Sequence, residues 1–214
     1  MCSSDLVGNT ASLQDNLFAG LVMVAGFIGL IGSRIIGFFT SRRLGTPQPA
    51  SPQWALMAPL VLPMLMAALM TLRLALPLAA LCGIACGLLG LVQTVRWWAK
   101  GTAKEPLLWT LHIGYASTAI GLIIMGFGQW IPKLMSPGVH FIAVGGIGLL
   151  TVSMMTRTAL GHTGRQLYPA PKLMPTAFCL MVGALFFRTL AAVMLTVHPT
   201  AYQIGRASCR ERVY

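Results

Sequence analysis

The sequence predicts an all-α, polytopic transmembrane helical bundle of about six spans, and three observations carry that prediction. The mean hydropathy is +0.76, with 56% of residues hydrophobic. Apolar runs recur that are long enough to cross a hydrocarbon core, which takes about 20 residues of helix. Cations gather in every second connection between those runs. In a soluble chain a formal charge of +11 would point to nucleic acid. Such hydropathy, with only 9% charged residues, assigns the cations to membrane topology instead and leaves the lipid bilayer, not nucleic acid, as partner.

The two ends are expected to lie outside the fold. Met1 to Leu6 back-translates, with GTG as start codon, to a stretch containing GCTCTTCCGATCT, and Gln203 to Ala207 back-translates to one containing AGATCGGAAGAGC. Each is the reverse complement of the other, as a sequencing adapter read into both ends of a reading frame would be. Residues 1–6 and 203–214 are therefore expected to be adapter-encoded. A single membrane domain over 7–202, part of a longer protein, remains. Without the ends, twelve Lys/Arg stand against Asp15 and Glu105.

The spans follow in order. Leu17–Phe39 is the first, closed by Arg42 and Arg43 and by Pro47, Pro49 and Pro52. Trp54–Leu72 carries Pro59 and Pro63, which kink a membrane helix without ending it when neighbouring helices satisfy the freed carbonyls. A short turn bearing Arg73 leads to Leu76–Val95, which begins at Pro77 and is followed by Arg96, Lys100 and Lys104. Leu107–Gly128 ends near Pro132, Lys133 and Pro137. The Gly-rich fifth span, Val139–Met155, leads into Arg157, Arg165 and Lys172, and prolines 169, 171 and 175 precede the sixth, Thr176–Val197. Connections one, three and five hold the cations, so the positive-inside rule puts them in the cytoplasm and the turns at Arg73 and Lys133 outside. No internal repeat or low-complexity tract interrupts this order.

Several features have packing explanations. Cys82 and Cys86 lie four apart on one helix face, but Gly83 and Gly87 make that face a small-residue packing surface. Met57, Met64, Met66 and Met70 in the second span lack an accompanying histidine and read as core filler. Trp97, Trp98 and Trp130 stand at span ends, where indole favours the interface. The cysteines inside spans imply no disulfide framework.

Ionisable residues in or near the spans are the candidates for function. His112 lies about one turn into the fourth span, His140 opens the fifth on the outer side, and Arg34 sits near the cytoplasmic end of the first. The run Gly161-His162-Thr163-Gly164-Arg165, with Arg157 before it, is composed like a ligand site. Imidazole supplies a metal bond, glycine lets a flat ligand approach backbone, and guanidinium forks onto carboxylate or phosphate.

Four ordered motifs carry a family resemblance: Arg34-Ile35-Ile36 with Phe38-Phe39-Thr40; Leu111-His112-Ile113-Gly114-Tyr115; His140 ahead of Gly145-Gly146-Ile147-Gly148; and Met155-Thr156-Arg157 leading to Gly161-His162-Thr163-Gly164-Arg165. Together they resemble NnrS, a family of many-spanning bacterial inner-membrane proteins. The resemblance corresponds to the C-terminal part of that family's length, with Gly37 and Gln166 standing where proline is common, and it implies earlier helices in the full-length protein. It further implies haem and copper as cofactors, a role in the nitric oxide response, nitrosative stress and denitrification, and nitric oxide or a related small molecule as ligand. The cofactor-binding candidates under it are His112, His162, Arg165, Arg157, Arg34 and Tyr115, with His112, His162 and His140 as metal ligands. A continuous fifth helix would separate His140 from the Arg157 end by roughly 25 Å. One site is thus expected to combine His112 and His162 on the cytoplasmic side, with arginine on the propionates, and His140 to belong to a second, outer site. No reaction is assigned, because the sequence shows neither nucleophile nor paired carboxylates. Two other readings stand beside this one: a transporter or channel whose histidines line a pathway, and a membrane scaffold or assembly factor.

Overall fold

The computed structural model describes residues 3–47, 49–171 and 173–197. Every regular element among them is helical: α1 (Ser3–Leu44), α2 (Gln53–Leu72), α3 (Leu76–Trp97), α4 (Pro106–Gly128), α5 (Met135–His140), α6 (Leu149–His162) and α7 (Leu173–Val197), with a π-helical stretch, Phe141–Gly148, joining α5 to α6. Six helical segments are long and apolar enough to cross a membrane: Leu13–Leu44, Gln53–Leu72, Leu76–Trp97, Pro106–Gly128, Pro132–His162 and Leu173–Met194. The six predicted spans are all present, and the chain is a multi-pass membrane protein. The fifth differs most from expectation. It begins at Pro132, not Val139, and is no simple α-helix, so His140 lies inside the span and not at its mouth.

Local chemistry sets the boundaries. Pro106 opens α4 and Pro77 stands second in α3, positions where the missing N–H costs nothing. α2 ends at Arg73, which takes the left-handed conformation and donates its N–H to Leu69 and Met70 carbonyls. Gly164, also left-handed with φ +65°, closes α6.

α4 is the axis of the bundle. Of its spanning window 67% is buried, against 17% for α7, so α4 is enclosed while α7 lies on the periphery. Small residues let neighbours approach α4 closely, as they do where van der Waals packing drives helix association. A methyl group added at Gly87 of α3 would overlap the Ala119 carbonyl, and one at Gly146 would overlap Thr118 Oγ1. Gly121 faces Ile142 and Gly138 in the same way. The space beside the Gly145-Gly146 pair is filled by Ser117 and Thr118 of α4. Cys82 and Cys86 are buried with Met66, Met70 and Met125 in the largest apolar cluster, so the packing explanation holds.

The two prolines of α2 explain a polar seam. Pro59 has no N–H for the Ala55 carbonyl, and Gln93 Nε2 of α3 donates to that oxygen instead, at 2.6 Å. Pro63 likewise frees the Pro59 carbonyl, toward which Cys86 Sγ points from 4.0 Å. Gln93 Oε1 in turn accepts from the Tyr115 hydroxyl at 2.8 Å. One hydrogen-bonded chain therefore runs from α4 through α3 to α2, and the Tyr115 ring also covers Gly32 of α1.

An ion pair marks each end of the bundle. Arg43 pairs with Glu105 at 2.5 Å, joining the end of α1 to the start of α4, and Arg73 pairs with Asp15 at 2.7 Å at the opposite end. The first and second connections thus lie at opposite ends of the bundle.

Candidate functional site

His112 carries one of the three buried side-chain polar atoms that lack a hydrogen bond among the described residues, with Ser153 Oγ and Arg157 Nε the others. It is 1% exposed, in the second turn of α4, with its ring edge-on to Trp98, centroids 5.4 Å apart. Nδ1 lies 2.9 Å from the Leu108 carbonyl. A carbonyl only accepts, so Nδ1 carries the proton and the neutral ring keeps its lone pair on Nε2. Nε2 is buried and makes no hydrogen bond, although the Trp97 carbonyl is near enough to act on the ring. A buried polar atom without a partner costs about 1–3 kcal/mol. An imidazole whose N–H is tied to a backbone carbonyl is the usual preparation of a metal-ligating histidine.

The other candidates divide. Arg157 is half-buried and committed to the protein: its guanidinium lies 4.1 Å above the Phe39 ring, and one terminal nitrogen is 3.5 Å from the Leu107 carbonyl and 3.4 Å from the Tyr168 hydroxyl. It locks α6 to α1, α4 and the loop beyond α6. Tyr115 is occupied by Gln93 and packs on Trp97, itself buried and not at an interface as its position at a span end predicts. His162 and Arg165 are exposed, and beside them Gly161 and Gly164 have nothing within 4 Å of an added Cβ. Arg34 is exposed on the outer stripe of α1 with Met23, Phe27, Ile31 and Phe38. His140 is half-buried.

The structure does not bring His112 and His162 together. α6 packs on the face of α4 that holds Gly114, whereas His112, two residues earlier and so about 200° around the helix, faces the end of α3. The Arg157–Leu107 contact also fixes the register. From that level His162 lies five residues outward and His112 five inward, an axial offset of roughly 15 Å. His140 is farther still, since its neighbour Ile142 meets Gly121, roughly 21 Å along α4 from Leu107.

The sequence model of a family described as NnrS protein matches residues 3–208. The chain belongs to the NnrS family. Comparison with curated proteins and with solved structures gives no match. Membership makes this a multi-pass membrane protein related to the nitric oxide response. For a metal or haem in an NnrS protein, the donor chemistry of His112 Nε2 fits one imidazole bond. Among the described residues no three His, Cys, Asp or Glu side chains converge on one point. His112 is therefore not part of a closed metal cage among the described residues.

Two residues escaped the sequence reading. Gln93 is a polar residue within an apolar span, and the prolines of α2 were the signal that it had carbonyls to serve. Arg188 lies well inside the sixth span, masked in the sequence because attention to cations in loops passes over a lone cation in a helix.

Proposed function

We propose that this NnrS protein binds haem in the bacterial inner membrane through His112 Nε2 and acts in the response to nitric oxide and nitrosative stress. The observation that supports it is the buried, unpartnered Nε2 whose tautomer the Leu108 carbonyl sets. When bound, haem would supply an iron able to take a diatomic ligand, and the protein would supply its imidazole, a water-poor site and the aromatic wall of Trp98. His162 with Arg165 at the basic end and His140 near the opposite end are single-imidazole candidates for copper, each needing further ligands from outside the described residues. Tyr115, Arg157 and Arg34 are the remaining contacts this reading offers to a bound group, Tyr115 and Arg157 through the positions they hold fixed.

Optical spectroscopy of the purified protein tests this. A Soret band is expected, and His112→Ala should abolish it or shift it, because loss of the imidazole would change the iron's ligand set directly. His162→Ala and Arg165→Ala, at the exposed end of α6, should leave the band in place and lower copper content at most. His198, outside the described residues, serves as control. A wild-type spectrum at wild-type haem content in His112→Ala would refute the assignment.

A further inference from the structure

α7 carries an arginine that the bundle leaves uncompensated. Arg188 lies fifteen residues after Leu173 and nine before Val197, roughly 22 and 14 Å along the axis. In a hydrocarbon core about 30 Å thick it is well inside the membrane. It is exposed, and it makes no hydrogen bond or ion pair among the described residues. His140 of the adjoining α5 interacts with it electrostatically, but a second basic group cannot neutralise it.

The face on which it stands is also bare. Ala177, Leu180, Ala184, Phe187 and Ala191 are exposed on the same side of α7, the alanines seven residues apart. This spacing makes a shallow groove beside a ridge of larger side chains, a shape that admits a second helix closely. An apolar face alone would be satisfied by lipid. A guanidinium within the hydrocarbon is not, and intramembrane arginines pair with another group or face a cavity.

Among the described residues no carboxylate is left to compensate it. Asp15 and Glu105, the carboxylates among the described side chains, lie at helix ends and are each paired, with Arg73 and Arg43. A second copy would bring the same residues and no acid at the depth of Arg188. We propose that α7 docks a membrane-spanning helix from outside residues 3–197 that carries one Asp or Glu facing Arg188, the apolar remainder of that helix packing along the alanine groove.

The test uses the full chain, labelled at its C-terminus, in zwitterionic phosphatidylcholine vesicles. The probe is a fluorescent Leu/Ala transmembrane peptide of about 23 residues, with a single Glu in its outer half or with Gln or Leu there instead. Energy transfer should show the Glu peptide associating roughly tenfold more tightly than the Leu peptide, the size of an interhelical polar contact. Arg188→Leu should erase that preference, Arg188→Lys should keep most of it, and Ala184→Phe should weaken binding by filling the groove. Equal binding of all three peptides, or a preference that survives Arg188→Leu, would overturn the proposal. So would loss of the preference when anionic phosphatidylglycerol is added, which would assign Arg188 to lipid phosphate. Transfer between two labelled copies that depends on Arg188 would assign the face to self-association and overturn it as well. Helical content by circular dichroism confirms that each variant is folded.

Discussion

Replacing Gln93 by leucine removes both hydrogen bonds of the α2–α3–α4 seam at once. The Ala55 carbonyl, which Pro59 leaves without a helical partner, loses Gln93 Nε2, and the Tyr115 hydroxyl loses its closer acceptor, keeping only the Gly29 carbonyl at 3.5 Å. Each orphaned group in a protein core costs about 1–3 kcal/mol. Interhelical hydrogen bonds measured in a membrane protein average only about 0.6 kcal/mol, with a maximum near 1.7. The membrane scale governs here, so Gln93→Leu is expected to cost about 2 kcal/mol. The seam also predicts where that cost divides. Pro59→Ala restores an N–H to the Ala55 carbonyl, so in that background Gln93→Leu weakens only the bonding of the Tyr115 hydroxyl and should cost about half as much. Reversible unfolding of the four members of this cycle in bicelles gives the coupling directly, expected near 1 kcal/mol. Equal cost in both backgrounds would refute the claim that Gln93 replaces the bond Pro59 removes. Tyr115→Phe is the companion measurement: it should destabilise by about 1 kcal/mol and leave any haem spectrum unchanged, because its hydroxyl is engaged by Gln93.

Further expectations concern packing, topology and the ends. Gly146→Ala places a methyl group on Thr118 Oγ1, and overpacking of that kind should cost about 1–3 kcal/mol in the same unfolding assay; Gly161→Ala, with nothing nearby, should cost little. Cysteine introduced at Ser136 should react with an impermeant thiol reagent on intact cells and cysteine at Thr46 should not, because the basic loops face the cytoplasm. The reverse labelling would invert the topology. Deleting residues 1–6 and 203–214 should leave membrane insertion and the amount of folded protein unchanged, whereas a clear loss would show those segments to belong to the fold.

What the sequence made legible follows from the physics of the bilayer. Spans are readable because a membrane helix must satisfy its own backbone and fill the core with apolar side chains, so length and hydropathy alone recover six of them. Loop cations are readable because topology acts on them one connection at a time, and the Arg43–Glu105 and Arg73–Asp15 pairs place the first and second connections at opposite ends of the bundle. The fifth span was the hardest, since a run of Phe141–Gly148 has the composition of any apolar helix, and its π-helical path depends on how Gly145 and Gly146 are pressed against α4. Membrane depth, which sequence gives, brought His112 and His162 to one side of the bilayer. Rotation about α4, which it gives poorly in a helix apolar on every face, set them on different sides of that helix. A helix that is enclosed all round has no amphipathic stripe from which to read a direction. His112 therefore stands out among the candidates not through any convergence of motifs but through one hydrogen bond: the Leu108 carbonyl holds the proton on Nδ1, and Nε2 stays buried without a hydrogen bond, near the Trp97 carbonyl. Such an atom is costly for a purely structural histidine, and binding a metal there would remove that cost.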